Sequence, residues 1–183
     1  MKSAVAISLM ATGATIVSGA AVIKPRISET DFAQFAPLAL SEVGLSLVQT
    51  PDDTIVLLDQ LIPQFGVQQG VAADQVQIGS CNGFSSGTDE AVLIPCDCPP
   101  DRAIFLDMVG RAILNESFFG DSTTFNMDIN DQTDETNKIR ANVATFVLQS
   151  FNLTKGVGCP SASAPNFLIM QINGTKIDQV FVE

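Results

Sequence analysis

Cysteine spacing sets the first limit on how this chain folds. Cys81, Cys96 and Cys98 lie close together and Cys159 lies far downstream, and there are 4 in all. An even count in a chain of this kind reads as a disulfide framework. Cys96 and Cys98 are separated by one residue, a poor distance and direction for a bond between them. One of the two therefore reaches Cys159 while the other holds Cys81. Cys81–Cys96 with Cys98–Cys159 is the favoured arrangement, and Cys81–Cys98 with Cys96–Cys159 stays open. By chain-entropy reasoning the longer bridge is worth ~3–5 kcal/mol. A thiolate metal site or redox pair at Cys96-Asp97-Cys98 is the competing reading. It needs reducing surroundings or further ligands, and the chain has 0 His.

Oxidised cysteines call for export, and the N-terminus is built for it. Lys2 precedes an uncharged stretch, Ala4 to Val17, that is apolar but diluted by Gly, Ser and Thr. It ends in Ser18-Gly19-Ala20, the small-x-small exit of a signal peptide. Residues 1–20 are expected to be removed by cleavage after Ala20, with Ala21 the second choice, leaving 21–183 as a single secreted domain. The competing reading is a retained membrane anchor, since the uncharged run is long enough to span a bilayer. Three Asn-x-Ser/Thr acceptors, at Asn115, Asn152 and Asn173, point the same way. Chance predicts roughly one in a chain of this Asn and Ser/Thr content. Each is expected at a helix end or turn, hence at the surface.

Composition removes whole classes of function. With His 0, neither Ser-His-Asp nor Cys-His catalysis is available, nor a His-containing zinc or copper site. No cofactor and no metal site is expected. A net charge of −11 with only 9 basic residues argues against nucleic acid. It also disfavours anionic membrane surfaces, so membrane contact is expected only if the N-terminal segment is retained.

The remaining sequence reads as α-rich (α+β), a disulfide-linked single domain of about four helices. The first runs from Thr30 to Val48 and breaks at Pro37. A second opens at Thr50-Pro51-Asp52-Asp53, with Thr50 as the capping hydroxyl and Ile55, Leu58, Leu61 and Ile62 facing inward. Glycine-rich sequence from Gln64 to Cys98 reads as loop with short strands at Gln75–Ile78 and Ala91–Ile94. Pro99-Pro100-Asp101 opens a third helix to about Asn115, burying Phe105, Met108, Val109, Ala112 and Ile113. After a polar loop from Gly120 to Thr133, a fourth helix covers Asp134–Phe151. Its inward residues are Ile139, Val143, Phe146, Val147 and Phe151, and Gly156 and Gly158 end it. Asn173-Gly174 between two apolar runs predicts a small antiparallel hairpin at the C-terminus, with a short helix and tail as the alternative.

The string Ile94-Pro95-Cys96-Asp97-Cys98-Pro99-Pro100-Asp101-Arg102, with Gly156-Val157-Gly158-Cys159-Pro160 downstream, resembles a group of fungal small secreted proteins. In that group a Pro-Cys-x-Cys-Pro-Pro-Asp-Arg segment precedes a helix and a Gly-Cys-Pro segment follows the next. The resemblance covers about Cys81 to Ser163. It implies a fungal secreted protein and carries no activity with it.

Candidate chemistry is confined to carboxylates. Asp128-Ile-Asn-Asp131-Gln-Thr-Asp134-Glu135 offers oxygens for calcium, but Ile139 stands where the EF-hand pattern needs its twelfth ligand. A solvated loop capping the next helix is the expectation. Asp97, Asp101 and Asp107, with Asp52 or Asp53, are candidates for a hydrolytic acid–base pair. Acids in the first turn of a helix are stabilising without any such role. The leading expectation is a non-enzymatic secreted protein that acts by binding, effector-like, with a host protein or cell-wall glycan as partner. A carboxylate-dependent secreted hydrolase and a cell-surface structural protein are the alternatives.

Overall fold

The computed structural model describes residues 37–67, 80–83 and 92–179. The expected leader, its cleavage point after Ala20, the stretch Thr30–Ala36 and the expected strand at Gln75–Ile78 lie outside them. Among the described residues the order is α1 (Pro37–Glu42), α2 (Asp52–Leu61), β1 (Ser80–Gly83), β2 (Val92–Pro95), α3 (Arg102–Leu114), β3 (Ser117–Phe118), β4 (Asp121–Ser122), α4 (Asp134–Gln149) and α5 (Pro165–Asn173). A 3₁₀ turn, Ser161–Ser163, leads into α5. The chain is α-rich with small antiparallel hairpins.

α1 ends sooner than its apolar pattern predicts. Gly44, at φ 78°, lets the Leu45 amide reach back to the Leu40 carbonyl at 2.9 Å, closing the helix. Leu40 and Leu45 bury together, and the chain then leaves as a non-helical segment that bends at Leu47 and Val48. Val48 is therefore not helical.

That segment runs along α3. The Ser46 amide bonds the Arg111 carbonyl at 3.3 Å, and the Thr50 amide bonds Asp107 Oδ1 at 3.0 Å. Thr50 was expected to cap α2, yet its hydroxyl donates to the Asp107 carbonyl at 2.9 Å, and α2 starts without a side-chain cap. The first turn of α2 does carry Asp52 and Asp53, and Leu58, Leu61 and Ile62 are buried as the periodicity requires.

α3 starts as read. Asp101 accepts from the amides of Ala103 and Ile104 at 2.9 and 3.2 Å. Phe105, Met108, Val109 and Ala112 are fully buried. Arg102, beside the cap, donates to the Ile62 and Pro63 carbonyls at 2.8 and 2.9 Å, satisfying carbonyls just beyond the end of α2 with a cation.

Two antiparallel strand pairs flank α3. β1 and β2 pair antiparallel, with Cys81 opposite Ile94. β3 and β4 turn at Phe119-Gly120, both at positive φ (53° and 80°), the backbone of a type I′ turn. The expected C-terminal hairpin does not form. α5 occupies Pro165–Asn173, and Gly174 at φ 74° is its left-handed cap, its amide bonded to the Met170 carbonyl at 2.9 Å. Asn-Gly serves helix ends as readily as hairpin turns, and Pro165 at the first turn favours the helix. The tail then lies against the α2 exit: the Gln64 amide bonds Asp178 Oδ1 at 2.7 Å, and Asn166 Nδ2 bonds the Gln179 carbonyl at 2.8 Å.

α4 and α5 form an antiparallel pair. Gly174 packs on Asp134 at one end, Gln171 bonds Asn142 at 3.0 Å midway, and Gln149 bonds Ser161 at 2.9 Å at the other. The rings of Phe65, Phe105 and Phe167 meet at centroid distances of 5.2, 5.4 and 5.6 Å, joining the α2 exit, α3 and α5 in one core. Val143, Val147 and Phe151 of the predicted α4 stripe are buried and Phe146 is half-buried, but the stripe fails at its first residue. Ile139 is exposed and its neighbour Arg140 is buried, with Ala141, Val143, Ala144, Val147 and Leu148. Gly156 and Gly158 lie beyond the helix, which stops at Ser150.

Candidate functional site

The cysteines are joined as Cys81–Cys96 and Cys98–Cys159, with Cα separations of 4.8 and 5.4 Å. Cys96-Asp97-Cys98 is thus a junction between the β1–β2 hairpin and the loop that follows α4. No free thiol remains for metal or redox chemistry. Asp97 points to solvent.

The acidic loop is organised around a cation of the chain's own. Arg140 is fully buried, and its guanidinium donates to the carbonyls of Asn126 (2.9 Å), Asp128 (2.7 Å) and Asp131 (2.8 Å) and to Asn137 Oδ1 (3.0 Å). Burial lowers the Arg140 pKa from its ordinary value, against the pull of Asp131 and Asp128. Carbonyls that a bound calcium would draw upon are already turned to this guanidinium. The Asp131 carboxylate faces away, to Thr133, Thr136 and Asn126, and Thr133 caps α4. These bonds, from Thr133 first, hold the Asp131 carboxyl below the usual carboxylate range.

Of the carboxylates proposed for hydrolysis, Asp101 and Asp107 are spent on the fold. Asp101 caps α3, and Asp107 is paired with Arg111 at 2.8 Å while accepting from Thr50. Asp52 and Asp53 are exposed in the first turn of α2. A cavity of about 280 Å³ lies where the α4 exit meets Cys159, lined by Gln149, Gly156, Gly158, Cys159 and Pro160. That lining contains no ionisable group, so the cavity has neither acid nor base to offer a substrate. Among the described residues no cluster of His, Cys, Asp or Glu is arranged to hold a metal ion.

The three Asn-x-Ser/Thr acceptors all fall where helices end. Asn115 is the C-cap of α3, Asn152 follows α4 in the turn closed by the Thr154–Val157 bridge, and Asn173 is the last residue of α5. Asn115 and Asn173 are exposed and Asn152 is half-buried.

Sequence reasoning missed the arginines. Asp107 and Arg111 stand at helical i, i+4 spacing, which signals a pair. Arg140 falls in phase with Asn137, Ala144 and Leu148, so the buried stripe runs through a charged residue that apolar periodicity discards. Exposed aliphatic side chains also escape such a pattern. Leu47 and Val48 are 55% and 68% exposed on the segment that Arg111 and Thr50 fix to α3, the Arg111 guanidinium bonding the Ser46 carbonyl at 3.1 Å.

No protein-family model, curated protein or solved structure matches this chain. Among the described residues no helix is long and apolar enough to cross a membrane.

Proposed function

We propose that this is a secreted, non-enzymatic protein that works by binding, effector-like. A host protein is its favoured partner, and a cell-wall glycan the other. The reading is carried by Leu47 and Val48, two large aliphatic side chains held in water on a segment pinned at Ser46 and Thr50. A pinned apolar contact binds without first paying to order the loop that presents it. Asp101 serves as a cap, Asp107 sits in an ion pair and Asp52, Asp53 and Asp97 stand exposed and apart from them, which agrees with a protein that does no hydrolysis. Oxidised cysteines agree with export, which delivers the chain to such a partner.

Two measurements test this. Intact mass of the protein from culture medium is expected to show loss of residues 1–20 and no free thiol. Sedimentation with cell-wall glycan, and capture from host extract followed by titration with the purified partner, are expected to give saturable binding that Leu47→Asp/Val48→Asp weakens at least tenfold. Turnover of a glycan or ester that disappears on replacing a single aspartate would overturn the reading in favour of the hydrolase.

A further inference from the structure

Eight asparagines have described side chains, and the fold treats them in two ways. Asn126, Asn130, Asn137, Asn142 and Asn166 each hold a side-chain hydrogen bond, at 2.7 to 3.1 Å for their shortest contacts. Asn115, Asn152 and Asn173 hold none with any described residue, and neither do the hydroxyls of Ser117, Thr154 and Thr175 that complete their triplets. Asn126, Asn130 and Asn142 are exposed like Asn115 and Asn173 and yet are bonded, while half-buried Asn152 is not, so exposure does not select the set left clear. It coincides with the glycosylation triplets.

The backbone at these triplets is shared as well. Their middle residues, Glu116, Leu153 and Gly174, sit at φ 54°, 52° and 74°. At Asn115 and Asn173 the chain leaves a helix by a left-handed step placed directly after the asparagine, and at Asn152 the same step falls in the turn that follows α4. No further turn of helix covers the side chain, and the amide stands clear at the helix end. Glycine is the ordinary residue for that step, and two of the three steps are made without it.

We propose that Asn115, Asn152 and Asn173 all carry N-linked sugar, so that glycan covers both ends of the α4–α5 pair. Asn152 follows the C-terminal end of α4. Asn115 lies at the same end, because Asp121 of the adjoining hairpin pairs with Lys155 and Phe118 packs on Phe146. Asn173 lies at the opposite end, where Gly174 meets Asp134. The 16 residues of α4 separate the two groups by about 24 Å. In the transfer, Asn Nδ2 bonds to the anomeric carbon of a lipid-pyrophosphate-linked oligosaccharide. The carbon–oxygen bond to pyrophosphate breaks, the lipid pyrophosphate leaves with the electron pair, and the amide nitrogen gives up one proton.

The proposal rests on the export proposed above, and the test separates the two. The full chain is expressed in a eukaryotic secreting host with its own leader, and in parallel with a host leader in place of residues 1–20. Enzymatic deglycosylation in heavy-oxygen water converts each occupied asparagine to labelled aspartate, read by peptide mapping. Labelling at Asn115, Asn152 and Asn173 is expected. Asn115→Gln, Asn152→Gln and Asn173→Gln should each remove one glycan from the intact mass. After deglycosylation they should leave the unfolding midpoint within error of the parent, since no hydrogen bond is lost. An unlabelled position among the three, in disulfide-bonded protein secreted under the host leader, overturns the inference. Labelling under the host leader alone overturns the proposed leader and leaves the sites standing.

Discussion

Arg140 and Asp131 meet backbone to side chain in the opposite sense to a salt bridge: the guanidinium takes the Asp131 carbonyl at 2.8 Å, while the carboxylate turns out to Thr133 and Thr136. The loop from Asn126 to Asp131 therefore hangs on one buried side chain. Arg140→Met leaves three carbonyls without their donor inside the protein, and is expected to cost about 3–5 kcal/mol. Arg140→Lys reaches only part of that fan and should cost about 2 kcal/mol or more. Urea unfolding of the two variants reads both. A midpoint unchanged in Arg140→Met would refute the role given to this residue.

Asp131 supplies a pH dependence. Its ordinary value is 3.8, and bonds from Thr133 and Thr136 hold it lower in the fold. The folded state therefore gains from the ionised carboxylate at any pH well above 3.8, and loses that gain as pH falls through the lower folded value. The stability difference between the parent and Asp131→Asn is expected to be constant from pH 7 to about 5 and to shrink toward pH 2. Denaturant midpoints across that range measure it, and a difference that grows on acidification contradicts the assignment.

The two disulfides differ in reach. Cys98 and Cys159 enclose a sequence separation of 61, against 15 for Cys81 and Cys96. Chain-entropy reasoning makes the first worth about 4 kcal/mol and the second about 3. Cys98→Ala/Cys159→Ala is expected to lower thermal stability more than Cys81→Ala/Cys96→Ala, and calorimetry of the two double variants decides the order.

Glu116 sits at φ 54° with its side chain exposed. Glu116→Gly relieves that backbone and keeps the Asn-x-Ser triplet, so it should stabilise by about 0.5–1 kcal/mol. Leu153 has the same backbone at φ 52° but packs against the core. Leu153→Gly is expected to lose more in packing than it gains, and equilibrium unfolding of the pair should move in opposite directions.

Gly110 lies on the buried side of α3, where an added methyl would run into the Thr50 side chain. Thr50 is held there by its bonds to Asp107 and has no room to withdraw. Gly110→Ala is expected to destabilise by about 2 kcal/mol, although alanine gains roughly 1 kcal/mol as a helix former. A more stable variant would show that the segment is loosely held.

Local chemistry was legible wherever one residue type suits one structural job. Pro-Pro-Asp opened α3 where it was read, and the stripes of α2 and α3 buried the residues that periodicity selected, except that Ile55 and Ile113 are half-buried. Reading failed where two structures share a signal. Asn173-Gly174 fits a hairpin turn and a helix cap alike, while the type I′ turn that does form uses Phe119-Gly120, which carries no such signal. Thr50 looks like a cap in sequence, but Asp107, far along the chain, offers its hydroxyl a better partner. The stripe of α4 held at Val143, Val147 and Phe151 and failed at Ile139, where the buried place goes to Arg140, because apolar counting cannot credit a buried arginine. Leu47 and Val48 were assigned to a helix that Gly44 had already ended. The candidate surface was thus the least legible part, since it follows from where one element stops and what pins the next stretch.

The Cys98–Cys159 bond also governs what a protease would achieve. Exposed backbone at Asp128–Asn130 and at Thr154–Gly156 lies between those two cysteines. A cut at either place opens the chain without releasing a piece, because both fragments stay tethered through sulfur. Nicked molecules would migrate as one species until a reductant is added, so a single cut need not disassemble the domain.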